Sequence, residues 1–207
     1  MRPMGLRERK KLRTRQAISD AAIALFLESG FDRVSVAEVA AAAEVSKPTL
    51  FKYFPAKEDL VIDRLADHRE EAAEVVRAAA GQPPLAALHA HFLAGLERRD
   101  PITGLCDEPE VLALNCLIYD TPALVAGMSR FTDHSIDALA DALREATGRD
   151  DLAPRLAAGQ IVTVQRLLAL ENHRHITAGE AAAARFPAAA AEADQAFGLL
   201  RSGLDGL

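Results

Sequence analysis

The stretch that decides the fold is Gly30–Leu60, GFDRVSVAEVAAAAEVSKPTLFKYFPAKEDL. Its punctuation reads as two short helices joined by a tight turn. Ser35 opens the first, and Glu38 stands three residues on. Hydroxyl and carboxylate then each satisfy a backbone N–H that is free at the helix start, the reciprocal pattern of a capping box. The spacing predicts a helix from Val36 to Ala43 and a turn at Glu44-Val45. Ser46 caps a second short helix, Pro48 is tolerated in its first turn, and Pro55 stops it. Ahead of the pair, Ile18, Ala22, Leu25 and Phe26 recur at helical spacing as one buried stripe. Gly30 closes that helix, where a positive φ is cheap for glycine.

Three helices with a tight turn before the last describe a helix-turn-helix. The major groove of DNA is about 12 Å wide and admits one helix, while the helix before it crosses the backbone. Base edges are met near the start of the second helix of the pair, which here carries Lys47, Pro48, Thr49, Lys52 and Tyr53. Leu50 and Phe54, four apart, are expected on the inward face. Phe51 is expected to be partly buried with its edge near a phosphate.

The overall charge of −6 points away from a polyanion, but its distribution reverses that. The first 60 residues hold 11 Lys and Arg against 8 Asp and Glu; the rest hold 13 against 22, and all five lysines lie in the first part. Such a split implies two jobs, with the basic end facing nucleic acid. Residues 2–15 carry seven Arg and Lys against Glu8 alone. They are read as a mobile arm running into a helix, either a phosphate or minor-groove contact or a solubilising run.

The residues of Gly30–Leu60 resemble the signature of the TetR/AcrR family of bacterial regulators. The marks are Gly-Phe before the first short helix, a Ser N-cap with Glu three on, Val-Ser-Lys-Pro-Thr-Leu entering the second helix and Tyr-Phe-Pro-x-Lys-Glu leaving it. The match runs over residues 10–65 or so, with no gap across Gly30–Leu60. The resemblance implies base and phosphate contacts from Lys47, Thr49, Lys52 and Tyr53, and apolar packing on bases from Pro48. It puts Ser35 and Ser46 at helix starts that meet phosphates, and Lys57 in a phosphate clamp. There are two departures. Glu44 stands in the turn where the family often has Gly, which implies a modestly strained positive φ. Val36 and Ala37 replace polar residues that some members aim at bases, which shifts readout to the following helix.

The expected fold is all-α, with about nine helices in total. A three-helix DNA-binding domain, with its basic arm, spans residues 1–60, and a helical effector-binding and dimerisation domain spans residues 61–207. A long fourth helix is predicted from Lys57 to about Ala80, and Gly81-Gln82-Pro83-Pro84 is the clearest break. Further helices are predicted near 85–99, 109–119, 122–147, 153–175 and 187–205. The Ala-rich run Ala181–Ala193 is read as a surface helix or a loop plus helix. The resemblance implies dimerisation, and the last two helices carry stripes that could serve it: Ala193, Phe197, Leu200 and Leu204, and Ile161, Val164 and Leu168. The same stripes would equally serve a monomer core. Candidate ligand contacts are polar or soft residues in apolar runs: Phe92, Asn115, Cys116, Tyr119, Met128, Phe131, Gln165 and Asn172. Each could instead be a satisfied core residue.

No metal site is expected. His89 with His91, and His173 with His175, stand two apart, so on a helix each pair points to different faces. Cys106 and Cys116 are read as free buried thiols. No nucleophile motif or phosphate loop is found, so neither catalysis nor a cofactor is expected. No apolar run reaches the length of a membrane span, and the run Ala21–Leu27 lacks a signal-peptide cleavage site, so a cytoplasmic protein is expected. The function this implies is a homodimeric repressor, released from a palindromic operator in double-stranded DNA by an unidentified small, largely apolar ligand. Two alternatives stay open: an enzyme or ligand carrier built on the C-terminal bundle, and a nucleoid-associated DNA binder.

Overall fold

The computed structural model describes residues 5–203. These residues are helical throughout, with no strand among them. The helices are α1 (Leu6–Ser29), α2 (Val36–Ala42), α3 (Lys47–Tyr53), α4 (Asp59–Ile62), α5 (Glu71–Ala78), α6 (Pro84–Glu97), α7 (Pro109–Asp120), α8 (Pro122–Thr147), α9 (Ala153–Thr177) and α10 (Ala182–Gly203). Two 3-10 segments, Asp63–His68 and Pro101–Thr103, complete the set. No single helix among the described residues is long and apolar enough to cross a membrane.

The chain divides into two compact units. The first holds the residues up to Ala66 together with Ala113–Met128, and the second holds Asp67–Leu112 with the chain from Ser129 onward. Sequence alone places the division at 60/61. The structure carries the first unit further because Leu60 and Val61 are core residues and because Ile118 and Leu124 join the same cluster, with Leu114, Leu117 and Met128 packed around it.

In the first unit, Ile18, Ala22 and Phe26 of α1 face Val39 and Ala40 of α2 and Leu50 and Phe54 at α3. The Phe26 and Phe31 rings meet at 4.9 Å between centroids. Burying each such Leu or Phe side chain stabilises the unit by about 1.5–3 kcal/mol. Leu50 and Phe54 are buried as expected, whereas Phe51 is 42% exposed. The basic stretch is not an arm from residue 6 onward, since Arg7 through Arg15 lie on α1. Arg2 falls outside the described residues.

The fourth helix is not continuous. It stops after one turn, passes through the 3-10 segment and resumes as α5. The intervening residues are tied sideways. Asp63 receives Arg15, Arg64 reaches Asp20 at 3.1 Å, and His68 Nδ1 lies 2.8 Å from Glu71.

The second unit is built on Leu88, Phe92 and Leu96 of α6, Leu139 and Leu143 of α8, Ile161 of α9 and Phe197 of α10. Gly104, with φ +72°, lies so close to α9 that a Cβ there would come within 2.0 Å of the Ala169 carbonyl oxygen. The last helix begins at Ala182, five residues before Pro187, with Asp107 accepting the Ala182 N–H at 2.9 Å. Its alanines are not a surface run: Ala182, Ala189 and Ala193 are buried in the core.

Ala193, Phe197, Leu200 and Ile161 are buried within the monomer, so the predicted dimer stripes are core stripes. Leu204 lies outside the described residues. A different apolar face is open on the same helices. Leu156 and Leu167 of α9 and Leu199 of α10 are 55%, 54% and 69% exposed, and Leu152, just before α9, is 63% exposed.

Candidate nucleic-acid interface

The interface is built from two caps and a strained turn. Ser35 Oγ accepts the Glu38 N–H at 3.2 Å, and Glu38 Oε2 accepts the Ser35 N–H at 2.7 Å. That backbone donor holds the Glu38 carboxyl below the usual range. Glu44, in the turn, has φ +52°, the left-handed conformation that its place in the turn predicts. Ser46 Oγ accepts the Thr49 N–H at 3.2 Å and lies 2.7 Å from Thr49 Oγ1. The caps fix where α2 and α3 begin, and Leu50 and Phe54 fix which face of α3 turns inward.

The outward face of α3 then follows from its register. Lys47, Pro48 and Lys52 are exposed, and Thr49 and Tyr53 are half-buried. Neither Lys47 nor Lys52 has an ion pair or hydrogen bond among the described residues; Lys47 Nζ lies only loosely over the Phe51 ring, at 6.0 Å. Two ammonium groups and an aromatic ring thus lie exposed on the surface of one short helix, with a half-buried hydroxyl among them. This is the chemistry that docks on phosphates and base edges.

Lys57 is placed differently from the expected phosphate clamp. Its Nζ donates to the Phe31 carbonyl oxygen at 2.5 Å and lies 4.4 Å above the Phe31 ring and 5.4 Å above the Phe26 ring. The ammonium fastens the loop before α2.

Arg15 is the residue that the motif did not single out. Its guanidinium forks onto both carboxylate oxygens of Asp63, donates to the Tyr53 carbonyl at 3.0 Å and lies 4.7 Å over the Phe54 ring. It stands in a basic run whose other described members are exposed; its one visible distinction is a position three before Ile18, on the edge of the buried stripe. Arg15→Ala removes two contacts to the end of α3, with the Tyr53 carbonyl and the Phe54 ring, and leaves Asp63 unpaired. Since the pair is partly solvated, the expected loss is about 1–3 kcal/mol of unfolding free energy, read by urea denaturation.

The eight candidate ligand residues do not gather in one place. Asn115, Cys116, Tyr119 and Met128 belong to the first unit, and Phe92, Phe131, Gln165 and Asn172 to the second. Two of them have core roles. Phe92 is buried against Phe197 at 6.1 Å between centroids, and Asn172 Nδ2 donates to the Thr103 carbonyl at 3.0 Å while its Oδ1 accepts from Arg185 at 3.3 Å. Both cysteines are free; Cys106 is buried, and Cys116 is half-buried, with burial first and Asp120 next pushing its thiol pKa up. Among the described residues, no group of three metal-binding side chains comes together. His89 faces Asp194 at 2.9 Å, and His175 bonds Glu171 and Glu180 at 3.2 and 2.8 Å.

Residues 18–63 match the family model for bacterial regulatory proteins of the tetR family. Over 173 residues the chain is 33% identical to the HTH-type transcriptional regulator TcmR of Streptomyces glaucescens, covering 81% of this chain and 76% of that protein. Among solved structures it resembles NalD of Pseudomonas aeruginosa, the secondary repressor of the MexAB-OprM multidrug efflux pump, with a TM-score of 0.58, 19% identity, and coverage of 89% of this chain and 96% of that one. It also resembles SmeT in complex with triclosan, with a TM-score of 0.57, 16% identity, and coverage of 92% and 91%.

Proposed function

The chain belongs to the TetR family of bacterial regulatory proteins, and from that premise we propose that it is a homodimeric repressor, released from a palindromic operator by a small ligand. The observation that carries the DNA-binding reading is the outward face of α3, where Lys47 and Lys52 have no partner in the protein. In this reading Lys47, Thr49, Lys52 and Tyr53 meet bases and nearby phosphates, and Pro48 packs on a base. The Ser35 and Ser46 hydroxyls, whose oxygens already accept the cap bonds, donate outward to the backbone. Lys57 supports the loop more than it clamps a phosphate.

The dimer is proposed to form through the open faces of α9 and α10. Supporting this, Leu152, Leu156, Thr163 and Leu167 follow at steps of four, seven and four residues along one side of α9 and the residue before it, and a groove of about 820 Å³ among α8, α9 and α10 is lined by Leu152, Leu156, Thr163, Ala196 and Leu199. Four exposed leucines on one face of a small unit are the kind of patch that a second copy covers.

Ligand release is supported by the family and by a fold neighbour carrying triclosan. A ligand moves the equilibrium only if it prefers the non-binding form. The test is a mobility-shift assay on the DNA upstream of the chain's own gene, across a salt series. Binding to a palindrome there, with affinity falling steeply in salt, is the expected result; absence of salt-sensitive binding to any fragment overturns the reading. Footprints scattered without a shared palindrome would favour a nucleoid-associated binder.

A further inference from the structure

Arg69 stands between the 3-10 segment Asp63–His68 and α5. Its Nε is buried and has no hydrogen-bond partner. Its guanidinium lies over the ring of Phe131 on α8, 5.8 Å from the centroid, and makes no ion pair among the described residues. A buried donor left unsatisfied is costly, so an arginine in this place calls for an acceptor.

The adjacent carboxylates do not supply one. Glu70 bonds His134 Nε2 at 3.2 Å. Glu71 sits between two imidazoles, with His68 Nδ1 at 2.8 Å and His91 Nε2 at 2.9 Å. The bond to Glu71 raises the His68 pKa above its ordinary value, and the bond to His68 lowers that of Glu71, so each favours the charged form of the other. Three histidines from the 3-10 segment, α6 and α8 thereby hold both acidic neighbours. The Arg69 guanidinium lies beside an aromatic face without a counter-ion among the described residues.

We propose that Arg69 is the anchor for an anionic effector, a small organic carboxylate whose apolar body lies on Phe131. This inference rests on the ligand-released reading and names the chemical class of that ligand. A carboxylate fits because the planar fork of a single guanidinium matches its two oxygens and its one charge. A phosphate dianion would call for further cations, and the nearby imidazoles are engaged with Glu70 and Glu71.

The test uses the full chain labelled with ¹⁵N-arginine and two probes of one shape, benzoate and neutral benzamide. The Nε–H resonance of Arg69, identified by its loss in Arg69→Lys, is expected to shift on titration with benzoate. Benzoate is expected to bind at least about tenfold more tightly than benzamide, and Arg69→Met to abolish that preference. An unmoved resonance in the wild-type chain, which needs no variant to fold, overturns the proposal, as does equal binding of the two probes. Operator binding measured in parallel separates the two readings. If a neutral compound releases DNA from wild type and Arg69→Met alike, the anchor falls and ligand release stands. If benzoate moves the Arg69 resonance and no ligand ever releases DNA, the anchor stands and ligand release falls.

Discussion

The double substitution Lys47→Ala with Lys52→Ala is expected to weaken operator binding on the order of a thousandfold at low salt while leaving thermal stability unchanged. Both ammonium groups are exposed on α3 without partners in the protein, so removing them breaks nothing in the fold. In a dimer the change is made twice, removing four charged contacts. A hydrogen bond to a charged group contributes about 1.5–3 kcal/mol, and a thousandfold loss is about 4 kcal/mol, so even partial contribution from each suffices. The salt dependence discriminates further. Each lysine that neutralises a phosphate adds about 0.9 to the slope of log affinity against log salt, so the variant's slope should be shallower by up to about 3–4. Lys57→Ala provides the contrast. Its ammonium donates to the Phe31 carbonyl and lies over two aromatic rings, and its loss should appear chiefly as lower stability, by about 1–2 kcal/mol. Lys47 and Lys52 variants that lowered the melting temperature, or a Lys57 variant that lost DNA and kept full stability, would reverse the assignment.

The DNA-binding half was legible because its signals are local. A Ser with a Glu three residues on, a Gly at a helix end and a Pro after a helix act within one turn of chain, and α2 and α3 begin where Ser35 and Ser46 predict. The turn at Glu44 was legible for the same reason. The break in the fourth helix was not. Asp63 to Glu70 contains no Gly or Pro, and its composition is compatible with helix. The segment is instead held by partners distant in sequence, such as Arg15 and Asp20, which periodicity cannot see. Lys57 and Arg15 were hard to place from sequence for a related reason. A lysine in a family motif and an arginine in a basic run look alike as charges, and only the placement of Phe31 and Asp63 separates them. On α9 and α10 the spacing found apolar stripes but left open whether they pack in the core or against a second copy, and the structure packs them in the core. Both helices are rich in Ala and Leu around their circumference, so more than one face satisfies the periodicity. The inward face is decided by Phe92, Leu96 and Leu139, which the sequence does not bring together.

That choice of face sets the second large effect. Leu156→Asp combined with Leu199→Asp is expected to yield a folded monomer whose operator affinity is about 10²–10⁴-fold below wild type, with α3 untouched. The two side chains are among the most exposed apolar groups of the unit, so the monomer gains solubility and loses no core contact. In the proposed dimer each carboxylate would be desolvated against an apolar surface and its own symmetry mate, which costs several kcal/mol per group. Operator affinity follows from linkage. Two recognition helices joined in one dimer engage the second half-site at a high effective concentration, an advantage of about 10²–10⁴ that needs no new contact and vanishes with the dimer. Light scattering at micromolar concentration reads the mass, far-ultraviolet circular dichroism reads the fold, and a mobility shift on whole and half operators reads the linkage. A monomer with native helicity, binding whole and half operators alike, is the expected result. Phe197→Asp separates this from general damage. That ring is fully buried against His89 and Phe92, so its replacement should unfold the second unit and lower helicity. If the leucine variants remained dimeric, the open faces of α9 and α10 would not be the interface. If they became monomeric with unchanged affinity for the whole operator, the protein would not depend on a linked pair of recognition helices.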